Sequence, residues 1–183
     1  MAEGEVLQLY YNGNPLITES EYLRIVENKT AGLIAAACKI GAIIGNASDD
    51  QQDALFRFGQ RIGIAFQVAD DTLDYAANGE RLGKSLGQDL RQGKTTLPLL
   101  HLLQHCPDQD KQMIKDRMET RTLSDGDLRR IISLMQDYGS IAYAHDRATQ
   151  FVMAATLDLA FFEESSPRRA LSIVAEYMVN RDR

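Results

Sequence analysis

The feature that most constrains this chain is an apolar stripe of helical period through its middle. Leu55, Phe58, Ile62, Ala65, Phe66, Ala69 and Leu73 follow the 3.6-residue repeat, from a start signal at Ser48-x-x-Gln51 to a stop at Asn78-Gly79. That pattern predicts one long helix. Set into it are Gln67, Asp70, Asp71 and Asp74, and a glycine-rich loop with Lys84, Asp89 and Lys94 follows. Three carboxylates this close repel one another unless something positive lies between them, and burying unpaired charge is costly. The stretch therefore predicts a metal and phosphate site.

The remaining segments carry the same period. Thr18-x-x-Glu21 is a capping box, and Tyr22, Ile25, Val26, Lys29, Leu33, Ala36, Ala37, Ile40 and Ile44 predict one long helix ending at Gly45-Asn46. Glu3 to Leu9 is helical in pattern. Pro98 suits the first turn of a short helix over Leu97 to Leu103, and Gly79 to Gly93 predicts a loop longer than the usual helix connection. Further helices are expected around Gln109 to Met118, Asp125 to Tyr138, and Ser140 to about Phe162. Ser166-Pro167 is expected to cap a last helix bearing Leu171, Val174, Tyr177 and Met178. No segment alternates with period two, so the expected fold is all-α, a single helical domain over residues 1–183.

Composition narrows the function. A net charge of -6 argues against a nucleic-acid partner, since phosphate backbones are held by basic surfaces. The run Ala31 to Ile44 is interrupted by Lys39 and too short to span a bilayer, so no transmembrane segment is expected. Only Cys38 and Cys106 are present, which suits reduced thiols and a cytoplasmic setting.

On a helix, Gly63, Gln67, Asp70 and Asp74 stack at offsets of four, three and four, with Asp71 alongside. Hard oxygens in this arrangement suit Mg²⁺, which takes one or two carboxylates together with substrate phosphate. Lys84 and Lys94, and Lys29 from the preceding helix, are candidates to meet the same phosphate oxygens as point charges. His101 and His105 have the spacing of a two-histidine metal face beside Cys106. Further ligands are missing, so a surface role is expected there rather than zinc.

The pattern FQxxDDxLD, followed by GK and QDLRQGKTTLP, resembles the second aspartate-rich motif and its loop in the trans-type polyprenyl diphosphate synthases. Glu27 to Gly32 resembles that family's Lys-Thr diphosphate-binding segment, and Glu3 to Leu9 the helix before it. The likeness runs the length of the chain and is nearest to the long-chain, octaprenyl-type members. It implies an isoprenoid-synthase-type helical bundle that joins an allylic prenyl diphosphate to isopentenyl diphosphate as a homodimer. It further implies that Asp70 and Asp74 hold Mg²⁺ with Asp71 in or beside that shell. Lys29, Gln67 and Lys84 would act on the diphosphate, with Thr30 and Lys94 in the binding site, and Phe66 would wall the isoprenoid pocket. Asp89 would pair with a loop lysine.

A complete member carries an earlier aspartate-rich motif followed by arginines, which these 183 residues lack. The chain is thus expected to form the C-terminal part of such a synthase, without turnover on its own. Two alternatives stay open: a non-catalytic helical subunit or degenerate paralogue, and a terpene cyclase of the same helical class. The small residues Ala31, Ala35, Gly41 and Gly45 are compatible with a dimer face or with packing inside the chain.

Overall fold

The computed structural model describes residues 1–76 and 86–180, and none of these forms a strand. Helices α1 (Ala2–Tyr11), α2 (Glu19–Val26) and α3 (Gly32–Ile44) precede the long α4 (Asp49–Ala76). After them come α5 (Gln88–Arg91), α6 (Leu97–His105), α7 (Asp108–Thr120), α8 (Asp125–Asp137), α9 (Ser140–Asp158) and α10 (Ser166–Asn180). Two of the expected start signals are in place. Thr18 and Glu21 exchange the two bonds of a capping box, and Ser48 and Gln51 do the same ahead of α4. The stop expected at Asn78-Gly79 lies outside the described residues, and the last helix is capped by Ser165, which accepts the Arg168 N–H at 3.3 Å, and not by Ser166.

Helix α4 is the axis of the bundle, with α3 and α9 along its flanks. Phe58, Ile62, Ala65 and Ala69 of its expected stripe are buried, with Leu55, Phe66 and Leu73 half-buried. The core falls into three joined groups. Ile64, Val68 and Ala69 pack with α2, α6 and α9, Tyr75 packs with α6, α7 and α8, and Phe58 and Ile62 pack with the second half of α9 and Ala175.

The segment expected as one helix from Thr18 to Gly45 is continuous but not uniform. Between α2 and α3, Glu27–Ala31 forms a π-helical turn, closed by the Gly32 N–H donating to the Glu27 carbonyl. A π turn takes up one more residue than an α turn, so it shifts the phase of everything after it. Tyr22, Ile25 and Val26 are buried as expected. Beyond the turn the buried positions are Ala31, Ala35 and Ala42, while Leu33, Ala36, Ala37, Ile40 and Ile44 face outward.

The small residues of that new face meet glycines of α4. A Cβ on Gly63 would lie 2.5 Å from the Ala31 Cα, and one on Gly59 would lie 2.8 Å from the Ala35 Cα. Ala31 and Ala35 therefore serve packing within the chain, whereas Gly41 and Gly45 are exposed.

Other departures are local. The expected loop before Lys94 contains the one-turn helix α5. The expected helix from Ser140 ends in a 3₁₀ turn over Leu159–Phe161. In α10, Leu171 and Met178 pack against the core, but Val174 and Tyr177 are exposed. No described helix is long and apolar enough to cross a membrane. Cys38 and Cys106 are free thiols. His101 stacks on His105 and on Tyr143, its Nδ1 lies 3.0 Å from the Ser140 hydroxyl, and His105 Nδ1 lies 2.8 Å from the His101 carbonyl.

Candidate active site

The π turn and the middle of α4 bring Lys29, Gln67, Asp71 and Lys94 of the predicted residues to one cleft, whose lining includes neither Asp70 nor Asp74. The wide π turn carries Lys29 toward α1, and the two segments touch closely enough that a Cβ on Gly4 would lie 2.4 Å from the Lys29 backbone nitrogen. Lys29 Nζ there donates to Gln8 Oε1 at 2.7 Å and pairs with Glu5 at 3.1 Å. The Thr30 hydroxyl reaches across to Gln67 Oε1 at 2.9 Å. On the far side of the same cleft, Lys94 pairs with Asp89, as the resemblance implied. Lys29, Gln67, Asp71 and Lys94 line one cleft together with Tyr22 and Thr96.

The three carboxylates of α4 differ sharply in surroundings. Asp70 is exposed. Asp71 is only 7% exposed and turns toward α2, where its oxygens accept the Tyr22 hydroxyl at 2.7 Å and Gln67 Nε2 at 2.9 Å. Burial pushes the Asp71 carboxyl up to about 7 against the pull of those two hydrogen bonds. Burial together with the Asp71 charge holds the Tyr22 phenol well above its usual value.

Asp74 is half-buried and caps α5, accepting the backbone N–H groups of Gln88 at 3.1 Å and Asp89 at 2.8 Å. Burial raises its carboxyl, opposed by the Asp89 N–H. For Lys94, burial disfavours the ammonium, but the bond to Asp89 and the nearby charges of Asp89, Asp71 and Asp74 outweigh it and raise the group.

Among the described residues no group of three or more His, Cys, Asp or Glu side chains is disposed to hold a metal ion. An all-protein cage is therefore not preformed among the described residues. The donor chemistry still fits a hard cation that keeps its waters and shares a substrate phosphate. Asp70 is open to solvent and Asp74 partly so, four residues apart on one face, and each carboxylate oxygen can accept more than one partner. Asp71 is the least accessible of the three. Phe66 is half-buried beside Gln67 and does not line the cleft, and Lys84 lies outside the described residues.

Motif spacing did not single out Tyr22, Gln8 or Thr96. Tyr22 was legible only as an apolar position of α2. Thr96 accompanies Lys94 in the run Lys94-Thr95-Thr96, and its hydroxyl lies 2.9 Å from the Tyr75 hydroxyl.

Comparison with known proteins gives this arrangement its relatives. The octaprenyl diphosphate synthase of Escherichia coli is 39% identical over 186 aligned residues, which take in all of this chain and 56% of that protein. A decaprenyl diphosphate synthase from Rhodobacter capsulatus superposes on the whole chain with a TM-score of 0.93 at 38% identity, again over 56% of its own length. A polyprenyl synthase from Caulobacter crescentus, complexed with calcium and isoprenyl diphosphate, gives a TM-score of 0.93 at 36% identity and the same coverage. The chain thus spans a little over half the length of these relatives. The family model described as Polyprenyl synthetase matches residues 1–135, through α1, the π turn, α4 and the Lys94 segment. With sequence and fold in agreement on the elements that build the cleft, this chain belongs to the polyprenyl synthetase family and has its all-α isoprenoid synthase fold.

Proposed function

We propose that this chain supplies the diphosphate-binding wall of a prenyltransferase that extends an allylic diphosphate with isopentenyl diphosphate to a linear polyprenyl diphosphate. The observation that carries the reading is the convergence of Lys29, Gln67 and Lys94 on one cleft beside the Asp70 face of α4. The names of the relatives support it, as does the isoprenyl diphosphate bound to the Caulobacter crescentus structure.

In this reaction the allylic C–O bond breaks and diphosphate leaves. The double bond of isopentenyl diphosphate attacks the electron-poor carbon, and a proton is then lost. The demand on the protein is to stabilise negative charge on the leaving group away from water, which preorganised cations and hydrogen-bond donors do well. Lys29 is held at the cleft by Glu5 and Gln8, and Lys94 by Asp89, so neither must be ordered when a diphosphate arrives.

Gln67 offers an amide N–H, and Thr30 fixes its other end. Asp70, with Asp74, would hold Mg²⁺, which when bound neutralises part of the diphosphate charge. Asp71 stands beside that shell. By the family resemblance, Lys84, which lies outside the described residues, would add a diphosphate contact, and Phe66, which is off this cleft, would wall the prenyl chain.

The test is Asp70→Ala in the protein that carries this chain, with linear and cyclic products separated. We expect prenyl elongation to fall by about 10²–10³-fold, the usual loss when one electrostatic stabiliser of a transition state is removed. Unchanged elongation would remove the site assignment. Cyclic products from the unsubstituted protein would make it a cyclase instead.

A further inference from the structure

The Tyr22 hydroxyl begins an unbroken chain of hydrogen bonds into the cleft. It donates to Asp71 Oδ2 at 2.7 Å, Asp71 Oδ1 accepts Gln67 Nε2 at 2.9 Å, and Gln67 Oε1 accepts the Thr30 hydroxyl at 2.9 Å. Tyr22 and Asp71 are both buried, so neither trades these partners for water.

The chemistry of the ends fixes the direction of the chain. When ionised, Asp71 only accepts, so the Gln67 amide turns its nitrogen toward it, as the 2.9 Å bond from Nε2 to Asp71 Oδ1 shows. A flipped amide would set its carbonyl against the carboxylate. One Nε2 proton is thereby committed to Asp71. The other has no protein partner among the described residues, and Gln67 lines the cleft.

We propose that Tyr22 is a positioning residue for diphosphate binding. Through Asp71 it holds the Gln67 amide so that an N–H is presented to the cleft. The middle carboxylate of the Asp70-Asp71-x-x-Asp74 run is then a support for Gln67 and not a metal ligand. This inference rests on the diphosphate reading of the cleft, and its test separates the two.

In the unliganded full chain, the Gln67 side-chain amide resonances are compared between the native sequence and Tyr22→Phe. They are expected to shift and to exchange faster in the variant. Identical resonances would overturn the proposal. Asp71→Asn, which keeps the shape of the side chain, gives the same readout should Tyr22→Phe not fold.

Binding of inorganic pyrophosphate with Mg²⁺ is then titrated. Tyr22→Phe is expected to weaken it roughly three- to tenfold, the usual effect of one hydrogen bond. In a Gln67→Ala background the same substitution is expected to cost less than about twofold, because coupled residues are not additive. Equal losses in both backgrounds would overturn the proposal, since Tyr22 would then act by packing alone. A loss in Asp71→Asn as large as that in Asp70→Ala would make Asp71 a ligand and overturn it too. If the native chain binds no pyrophosphate while Tyr22→Phe still moves the Gln67 amide, the diphosphate reading fails and the hold of Tyr22 on Gln67 stands.

Discussion

Gly63 determines how near α4 can come to the π turn, because a Cβ there would lie 2.5 Å from the Ala31 Cα and 2.8 Å from its Cβ. Backbone atoms cannot yield as a flexible side chain would. Gly63→Ala is therefore expected to destabilise the fold by about 1–3 kcal/mol, the range for overpacking a filled interior. The measurement is the denaturant midpoint at unchanged slope. Gly41→Ala is the control, since nothing lies within 4 Å of a Cβ there, and helix propensity alone should leave it neutral or more stable by up to about 1 kcal/mol. Spacing made Gln67, Asp70 and Asp74 legible as one helix face. It did not reveal that Asp71, one step around that helix, turns inward to Tyr22. That partner is 49 residues away in sequence, and a phenol in an apolar stripe looks like core until its hydroxyl is placed.

Among the elements, helix starts were the most legible, because a capping box is local. Thr18 with Glu21 and Ser48 with Gln51 sit where their residue types indicate. A third box joins Ser124 and Asp127 ahead of α8, with reciprocal backbone bonds of 3.1 Å each. The hydrogen bonds from Ser124, its side chain first, hold the Asp127 carboxyl below its usual value. A carboxyl depressed in the folded state adds stability at pH values above the unfolded value, and that stability is lost as pH falls through the folded one. Ser124→Ala is expected to flatten this part of the acid limb when unfolding midpoints are followed from neutral pH downward. An identical pH dependence in the variant would count against the box. Helix α5 was not legible for the opposite reason. Four residues carry no readable period, and its first N–H groups are taken by Asp74, 14 and 15 residues back. The π turn was hidden too, since Tyr22, Ile25 and Val26 and then Leu33, Ala36 and Ile40 keep an ordinary α-helical spacing across it.

For the whole molecule, the all-helical architecture was legible because nearly every segment carries the 3.6-residue period, whereas the mutual rotation of the helices was not. The consequence lies on the outer face of α3, where Leu33 is 57% and Ile44 75% exposed, with Ile40 between them. A row of large apolar side chains in water favours association. Sedimentation of the chain at micromolar concentrations is expected to show reversible self-association that Leu33→Glu with Ile40→Glu weakens, and a monomer throughout would refute this. The π turn also dictates which errors the helix after it can tolerate. Side-chain volume is the sensitive quantity at Ala31, Ala35 and Ala42, which lie inward, and polarity is the permitted change at Leu33, Ile40 and Ile44, which lie outward. A saturation scan of α3 would then rank Ala35 and Ala42 as the demanding positions and Leu33, Ile40 and Ile44 as the forgiving ones, reversing the order that hydrophobicity alone assigns.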